Sequence, residues 1–276
     1  MSIRRNIIRI LQITDLHILP EPGAHLFRVD TYCSLQRVLK SAFELDVTPE
    51  AIIASGDLVE DGSLASYRRL RGLLIATGVP VFVLPGNHDT VENMQEALVG
   101  GSIQMQPMHA MGGWKFAFLN SQIPGESCGR VTKDNLRELQ CELEADPETP
   151  CLIALHHPPI APCSYQSCRL EDADRFLSAL SKHPNVKAVI SGHAHVENQH
   201  PFKHIEIMTT PATCIQFRHD LTPKVDEQTW NKRNGQTAVY DGFKATHGTD
   251  PTRHGYRILD LRPDGQFTTD VHWVTN

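Results

Sequence analysis

Five times in this chain a short apolar run stops at a cluster of metal-type side chains, and that repetition constrains the fold more than any other feature. Residues 7–13 deliver Asp15 and His17, and residues 51–54 deliver Ser55, Gly56 and Asp57. Residues 79–84 run through Pro85 and Gly86 into Asn87, His88 and Asp89. Residues 151–155 deliver His156, His157, Pro158 and Pro159, and residues 186–190 deliver Ser191, Gly192, His193, Ala194 and His195. Runs of this length, rich in Ile and Val, read as buried strands. Pro85 and Gly86 end theirs, because one lacks a backbone donor and the other tolerates unusual dihedrals. Loops at the C-terminal ends of strands are where open α/β sheets place their chemistry.

The segments between the runs predict helices. Apolar side chains recur at helical spacing over residues 29–45, through Leu35, Val38, Leu39 and Phe43. Residues 63–76 follow with Ser63 as the expected N-cap, and residues 133–145 carry Leu136, Leu139 and Leu143 on one face. A further helix is expected over 172–180, and a short one within 90–113. Strand and helix in alternation give an α/β class, built from parallel units with right-handed crossovers. Strands are also predicted over 115–119, 205–209, 213–217, 256–261 and 267–273. The polar stretch 218–254 is long for a connection and is therefore read as functional or mobile.

The 276 residues carry a net charge of −6, so neither nucleic acid nor an anionic membrane surface is an expected partner. The first apolar run is short and broken by Arg9 and Gln12, too short for a bilayer span and poor as a leader. A cytoplasmic location is the expectation. Seven cysteines with no C-x-x-C pair suggest free thiols in a reducing compartment, Cys163 and Cys168 included. Histidine is the unusual residue, with 15 in the chain. His25, His109, His183, His200, His204, His219 and His272 lack motif context and read as surface or packed residues. Arg130 reads as solvated, and Asp89 as a brace for its loop. The alternation of Trp114, Phe116 and Phe118 reads as sheet packing.

Asp and His two residues apart on an extended segment face the same way and can chelate one ion. That reasoning applies to Asp15 with His17, and to His193 with His195 unless a loop spreads those two to different ions. Carboxylate, imidazole and amide oxygen together suit manganese, iron, zinc or cobalt, and are too rich in nitrogen for calcium. Seven such ligands exceed what one tetrahedral ion needs, whereas two ions sharing a carboxylate would use them all.

In this order and spacing, Asp15-x-His17, Gly56-Asp57, Gly86-Asn87-His88-Asp89, His156-His157-Pro158-Pro159 and Gly192-His193-x-His195 resemble the calcineurin-like metallophosphoesterase superfamily. All five blocks are intact. The resemblance implies a four-layer αββα sandwich of two mixed β-sheets flanked by helices, formed by one domain over 1–276. It implies two divalent ions, whether iron, manganese, zinc, cobalt or magnesium. Asp15, His17, Asp57 and His195 would hold the first; Asp57, Asn87, His156 and His193 the second. His88 and Asp57 would be catalytic, with His88 a non-ligand beside the phosphate and His157 supporting the loop from outside. A hydroxide held between the ions would attack phosphorus.

Residues 10–15, 210–217 and 255–257 are most similar to the bacterial class III cyclic nucleotide phosphodiesterases. That likeness implies hydrolysis of 3′,5′-cyclic AMP, with phosphate over His17, Asp57, Asn87, His88 and His195 and residues 213–217 at the rim. A glycerophosphodiesterase or broad phosphodiesterase is the alternative. Some proteins of this superfamily are scaffolds, but those lose ligands that this chain keeps. The stretch 219–254, with Trp230, Tyr240, His247 and His254, is longer than in that group and reads as a rim or a homodimer contact.

Overall fold

A computed structural model describes residues 7–160, 169–217 and 248–275. The first half is strand–helix alternation: β1 (Ile8–Ile13), α1 (Thr31–Phe43), β2 (Ala51–Ser55), α2 (Leu64–Ala76), β3 (Val81–Leu84), α3 (Val91–Ala97) and β4 (Ile103–Gln104). The second half is β5 (Met108–Met111), β6 (Trp114–Leu119), α4 (Lys133–Ala145), β7 (Cys151–Leu155), α5 (Ala173–Leu180), β8 (Val186–Ser191), β9 (Asn198–Phe202) and β10 (Ile205–Thr209). The strands β11 (Gln216–Phe217), β12 (Thr249–Asp250), β13 (Arg253–Leu261) and β14 (Phe267–Thr275) complete the described chain.

Helix starts follow local chemistry. Asp30, Ser63 and Thr132 each accept a hydrogen bond from the backbone N–H three residues on, at Cys33, Ser66 and Asn135. One six-stranded sheet has the order β14-β13-β1-β2-β3-β4, and the other β5-β6-β7-β8-β10-β9. Strands β1 to β4 run parallel, with β13 and β14 antiparallel at one side. In the second sheet β6, β7, β8 and β10 are parallel, with β5 and β9 antiparallel at the edges. Both sheets are mixed, as predicted.

The buried side chains sort into layers. Leu35, Val38, Tyr67, Leu70 and Leu74 pack α1 and α2 on the outer face of the first sheet. Leu136, Leu139, Leu143, Phe176 and Leu177 pack α4 and α5 on the second. Ile8, Ile10, Ile53, Phe82, Trp114, Phe116, Leu152 and Ile190 fill the space between the sheets. The result is the four-layer αββα sandwich. Phe116 and Phe118 stack with centroids 6.5 Å apart inside it, which is sheet packing.

One expectation is corrected. Residues 213–217 are a strand only at β11. There the Gln216 amide closes a turn instead, its Nε2 donating to the Ala212 carbonyl and its Oε1 accepting from the Ala212 N–H. Thr213 N–H is drawn to the Thr14 carbonyl, so it cannot serve a ladder. The edge strands β4, β5 and β9 had no apolar alternation to announce them; β9 is mostly exposed. Cys33, Cys128, Cys141, Cys151 and Cys214 are free thiols. Cys163, Cys168, His219, Trp230, Tyr240, His247 and most of the 219–254 stretch lie outside the described residues. Among the described residues no helix is long and apolar enough to cross a membrane.

Candidate metal centre

The ligand loops leave β1, β2, β3, β7 and β8 at their C-terminal ends and meet at one edge of the sandwich. Backbone bonds tie them together. Asp15 N–H donates to the Gly56 carbonyl at 3.0 Å, and Leu16 and His17 N–H both donate to the Asp57 carbonyl. Gly192 N–H donates to the His156 carbonyl at 3.0 Å. Carboxylates cross between loops as well. Asp57 accepts from His88 N–H at 2.9 Å, and Asp15 accepts from His193 N–H at 2.9 Å.

The extended geometry assumed for the Asp-x-His and His-x-His pairs is not what the chain adopts. Asp15, His17, Asp57, His193 and His195 all have positive φ, between 45° and 69°. That region is uncommon for any residue with a Cβ, and such conformations persist where surrounding contacts over-determine them. Left-handed turns, not strand alternation, aim these side chains.

They do converge. His17 Nε2 lies 3.3 Å from His195 Nε2 and 3.6 Å from Asp57 Oδ2; His195 Nε2 is 3.3 Å from Asp15 Oδ1. His156 Nε2 lies 3.3 Å from Asp57 Oδ2 and 3.2 Å from His193 Nδ1. Two donors bound about 2.0–2.1 Å from one tetrahedral ion would themselves be about 3.3 Å apart.

The tautomers agree. Nδ1 of His17 meets Glu60 Oε2 at 2.7 Å, Nδ1 of His156 the Ser55 carbonyl at 2.9 Å, and Nδ1 of His195 the Ile215 carbonyl at 2.8 Å. Each acceptor takes the ring proton on Nδ1, so Nε2 is the atom each ring turns to the centre, free to ligate once its own proton is lost. Asn87 Oδ1 is buried with no hydrogen-bond partner. A buried amide oxygen without a donor, three inward Nε2 atoms and two carboxylates fit a pair of divalent ions.

Charge in the metal-free cluster is balanced by protons. Burial opposes ionisation of Asp57, but His156 and His88 outweigh it and hold its carboxyl well below the usual range. Burial likewise opposes charge on His156, yet Asp57 and Asp15 lift it to about 9. His88 and His195 are also raised, by Asp57 and Asp15 respectively, against burial.

Further residues stand around this cluster, and one of them, Glu60, has no place in the sequence motifs. Glu60 joins His17 and His88: its Oε2 is 3.5 Å from His88 Nδ1, and its carbonyl accepts from the same nitrogen at 3.0 Å. Its signal was its place three residues after Asp57. Cys214 Sγ lies within 4.8 Å of ligand atoms of His17 and His195, and Phe217 stacks on His195 with centroids 4.1 Å apart. Asp89 is indeed a brace, accepting from Gly86 and Leu58 N–H and from the Tyr67 hydroxyl. Burial and Asp57 push its carboxyl up to about 6. His157 packs 4.7 Å from His193 and bonds Ser121 Oγ at 2.8 Å; burial, with His193 and His156, holds it neutral. Arg130 is exposed and paired with Glu171. Beside His88 opens a cleft of about 970 Å³, lined by Asp61, Asn87, Glu92, Asn120, Gln122 and Glu126 among others.

The family model for calcineurin-like phosphoesterases matches residues 8–197. Among curated proteins, a 3′,5′-cyclic adenosine monophosphate phosphodiesterase CpdA from Vibrio vulnificus is 32% identical over 98% of this chain and 91% of its own. CpdA from Escherichia coli is 32% identical over 96% and 89%, and a 3′,5′-cyclic-nucleotide phosphodiesterase from Nostoc is 30% identical over 97% and 92%. Among solved structures, a dimetal phosphatase from Danio rerio aligns with TM-score 0.58 at 14% identity, covering 95% of this chain and 98% of that one. GAP50, the anchor in the inner membrane complex of Plasmodium, aligns with TM-score 0.59 at 13% identity, covering 98% and 84%. At such identities those two speak for the fold alone. Motif, fold and near full-length likeness lead to one place: this chain belongs to the calcineurin-like phosphoesterases.

Proposed function

We propose that the protein is a two-metal phosphodiesterase whose substrate is 3′,5′-cyclic AMP, opened to the 5′-monophosphate. The observation that carries the chemistry is the convergence of Asp15, His17, Asp57, His156, His193 and His195, together with the buried, unpartnered Oδ1 of Asn87 on the loop after β3. Asp15, His17, Asp57 and His195 would hold one ion, and Asp57, Asn87, His156 and His193 the other. Once bound, the ions supply a hydroxide nucleophile at neutral pH and neutralise charge on the phosphoryl oxygens.

The chain's own groups do the rest. His17, Asp57, Asn87, His88 and His195 surround the phosphate. His88 Nδ1 is committed to the Glu60 carbonyl, so the deliverable proton is the one on Nε2. Asp57 and Glu60 raise the affinity of His88 for that proton, and the ring lines the cleft where the leaving oxygen departs. The cleft has room for a nucleoside, and its carboxylates disfavour a polyanion such as nucleic acid. The full-length cyclic-nucleotide relatives support the choice of substrate. A cytoplasmic protein forming a single domain completes the reading.

Metal-reconstituted protein should be given cyclic AMP, 2′,3′-cyclic AMP, a glycerophosphodiester and bis-p-nitrophenyl phosphate. We expect cyclic AMP to have the highest kcat/KM, and His88→Ala to cut kcat by about 10²–10⁴-fold with metal content unchanged. A glycerophosphodiester preferred over cyclic AMP would overturn the substrate, and wild-type turnover by Asp57→Ala would overturn the metal assignment.

A further inference from the structure

Between the apolar inter-sheet core and the ligand loops lies a layer of buried polar side chains. Ile8 and Ile10 on β1, Ala51 and Ile53 on β2, and Leu261 and Leu259 on β13 face the other sheet. The next inward position on each strand is polar: Gln12, Ser55 and Arg257. All three are buried, Arg257 to 1% exposure, and Gln12 and Arg257 are register partners. Among the described residues Arg257 forms no salt bridge. Its guanidinium is spent on hydrogen bonds, Nε to Thr210 Oγ1 at 3.0 Å, Nη2 to the Thr209 carbonyl at 3.2 Å and Nη1 to Thr269 Oγ1 at 3.1 Å. Thr210 Oγ1 donates to Gln12 Oε1 at 2.6 Å, and Gln12 Nε2 donates to Ser55 Oγ at 2.9 Å and the Ser191 carbonyl at 3.1 Å.

Gln12 and Arg257 belong to the first sheet; Ser191, Thr209 and Thr210 belong to or directly follow strands of the second. Gln12–Ser191, Gln12–Thr210, Arg257–Thr210 and Arg257–Thr209 therefore cross from sheet to sheet. The members also sit close to the ligands in sequence. Gln12 is three residues before Asp15, Ser55 two before Asp57 and Ser191 two before His193. An apolar contact at this height would hold the sheets together but permit sliding. A closed set of directional hydrogen bonds fixes one separation and one register.

We propose that Gln12, Thr210 and Arg257 are positioning residues that set the spacing between the two halves of the metal centre, and the second ion's site above all. The inference rests on the metal assignment proposed above. In that assignment three of the first ion's ligands, Asp15, His17 and Asp57, come from the first sheet and only His195 from the second. The second ion's ligands divide evenly, Asp57 and Asn87 against His156 and His193. A change in sheet separation opens the evenly divided site most.

The test is titration of metal-free protein with Mn²⁺ by calorimetry, alongside electron paramagnetic resonance at two equivalents. Thr210→Val removes the central hydroxyl at nearly constant shape, Arg257→Met removes the fork, and Thr210→Ser restores the hydroxyl. Wild type and Thr210→Ser should bind two ions and give an exchange-coupled signal. Thr210→Val and Arg257→Met should bind the first ion within about two-fold of wild type and the second about 10–100-fold more weakly, with a mononuclear signal. Wild-type affinity at both sites with only a lower Tm would overturn the inference, because the layer would then be plain structure. Equal weakening of both sites would overturn it too. Wild type that never takes up two ions would remove the metal assignment and this inference with it, and is recognised without any variant. If Arg257→Met fails to fold, Thr210→Val decides alone.

Discussion

Gly86 stands where both halves of the centre press on the backbone. A Cβ there would run into the Asp57 carboxylate and its backbone nitrogen, and would lie 2.8 Å from His156 Nε2. Gly86 is not among the residues with positive φ, so alanine at this position meets steric cost alone. Restoring an ordinary 3.4 Å contact moves His156 Nε2 by about 0.6 Å (3.4 − 2.8), and Asp57 must retreat further. Asp57 is the carboxylate proposed to be shared, so its displacement would disturb how both ions are held. Misplacement on the order of 1 Å costs about 10²-fold in rate. Gly86→Ala is therefore expected to lower kcat/KM about 10²-fold, equivalent to about 3 kcal/mol of transition-state stabilisation. The assay is steady-state turnover of bis-p-nitrophenyl phosphate and cyclic AMP with metal content measured on the same sample. Gly72→Ala is the matched control: it lies inside α2 with nothing within 4 Å of the added Cβ. That change should leave turnover unchanged and stabilise the helix by about 0.5–1 kcal/mol. A Gly86→Ala enzyme with two ions and wild-type kcat/KM would refute the reasoning, because it would show that the site yields where the structure says it is filled.

Glu60→Ala removes the acceptor that orients His17 and a charge that supports the His88 proton. Metal affinity should fall about 10–100-fold, and the alkaline limb of the pH–kcat profile should move to lower pH; an unmoved limb in the metal-saturated variant counts against His88 as proton donor. The metal-free protein should lose stability as pH rises. His156 is held at about 9 when folded against about 6.5 unfolded, so its contribution is complete below about pH 6.5 and gone above about pH 9. The loss is about 3 kcal/mol, readable as a falling urea midpoint between pH 6 and pH 9, and a flat midpoint would contradict it. Saturating metal should abolish this dependence, since the ions displace the same protons.

The ligand-bearing blocks and the α/β class were legible because they are written locally. An apolar run of five or six residues, a turn residue and a histidine or carboxylate can be read one segment at a time. So could the Ser63 cap and the amphipathic face of α4, since both depend on neighbours within one or two turns of helix. The family likeness came from the same local blocks.

Other features had no local trace. The edge strand β9 pairs on one side only and lacks the apolar alternation that marks a buried strand. The conformation of Asp15, His17, Asp57, His193 and His195 is left-handed because bonds from other loops hold it so, and no spacing rule contains that. Glu60 looked like one more surface acid until tertiary structure set it against two histidine rings. Gln12 read merely as a break in the first apolar run. Arg257 lies 245 positions away, and their hydrogen bonds through Thr210 exist only once the two sheets face each other. Sequence alone determined which side chains could bind metal, because ligand chemistry belongs to the residue. Tertiary structure decided which nitrogen of each ring faces inward and how far apart the two halves stand, because those depend on acceptors and packing supplied from across the fold.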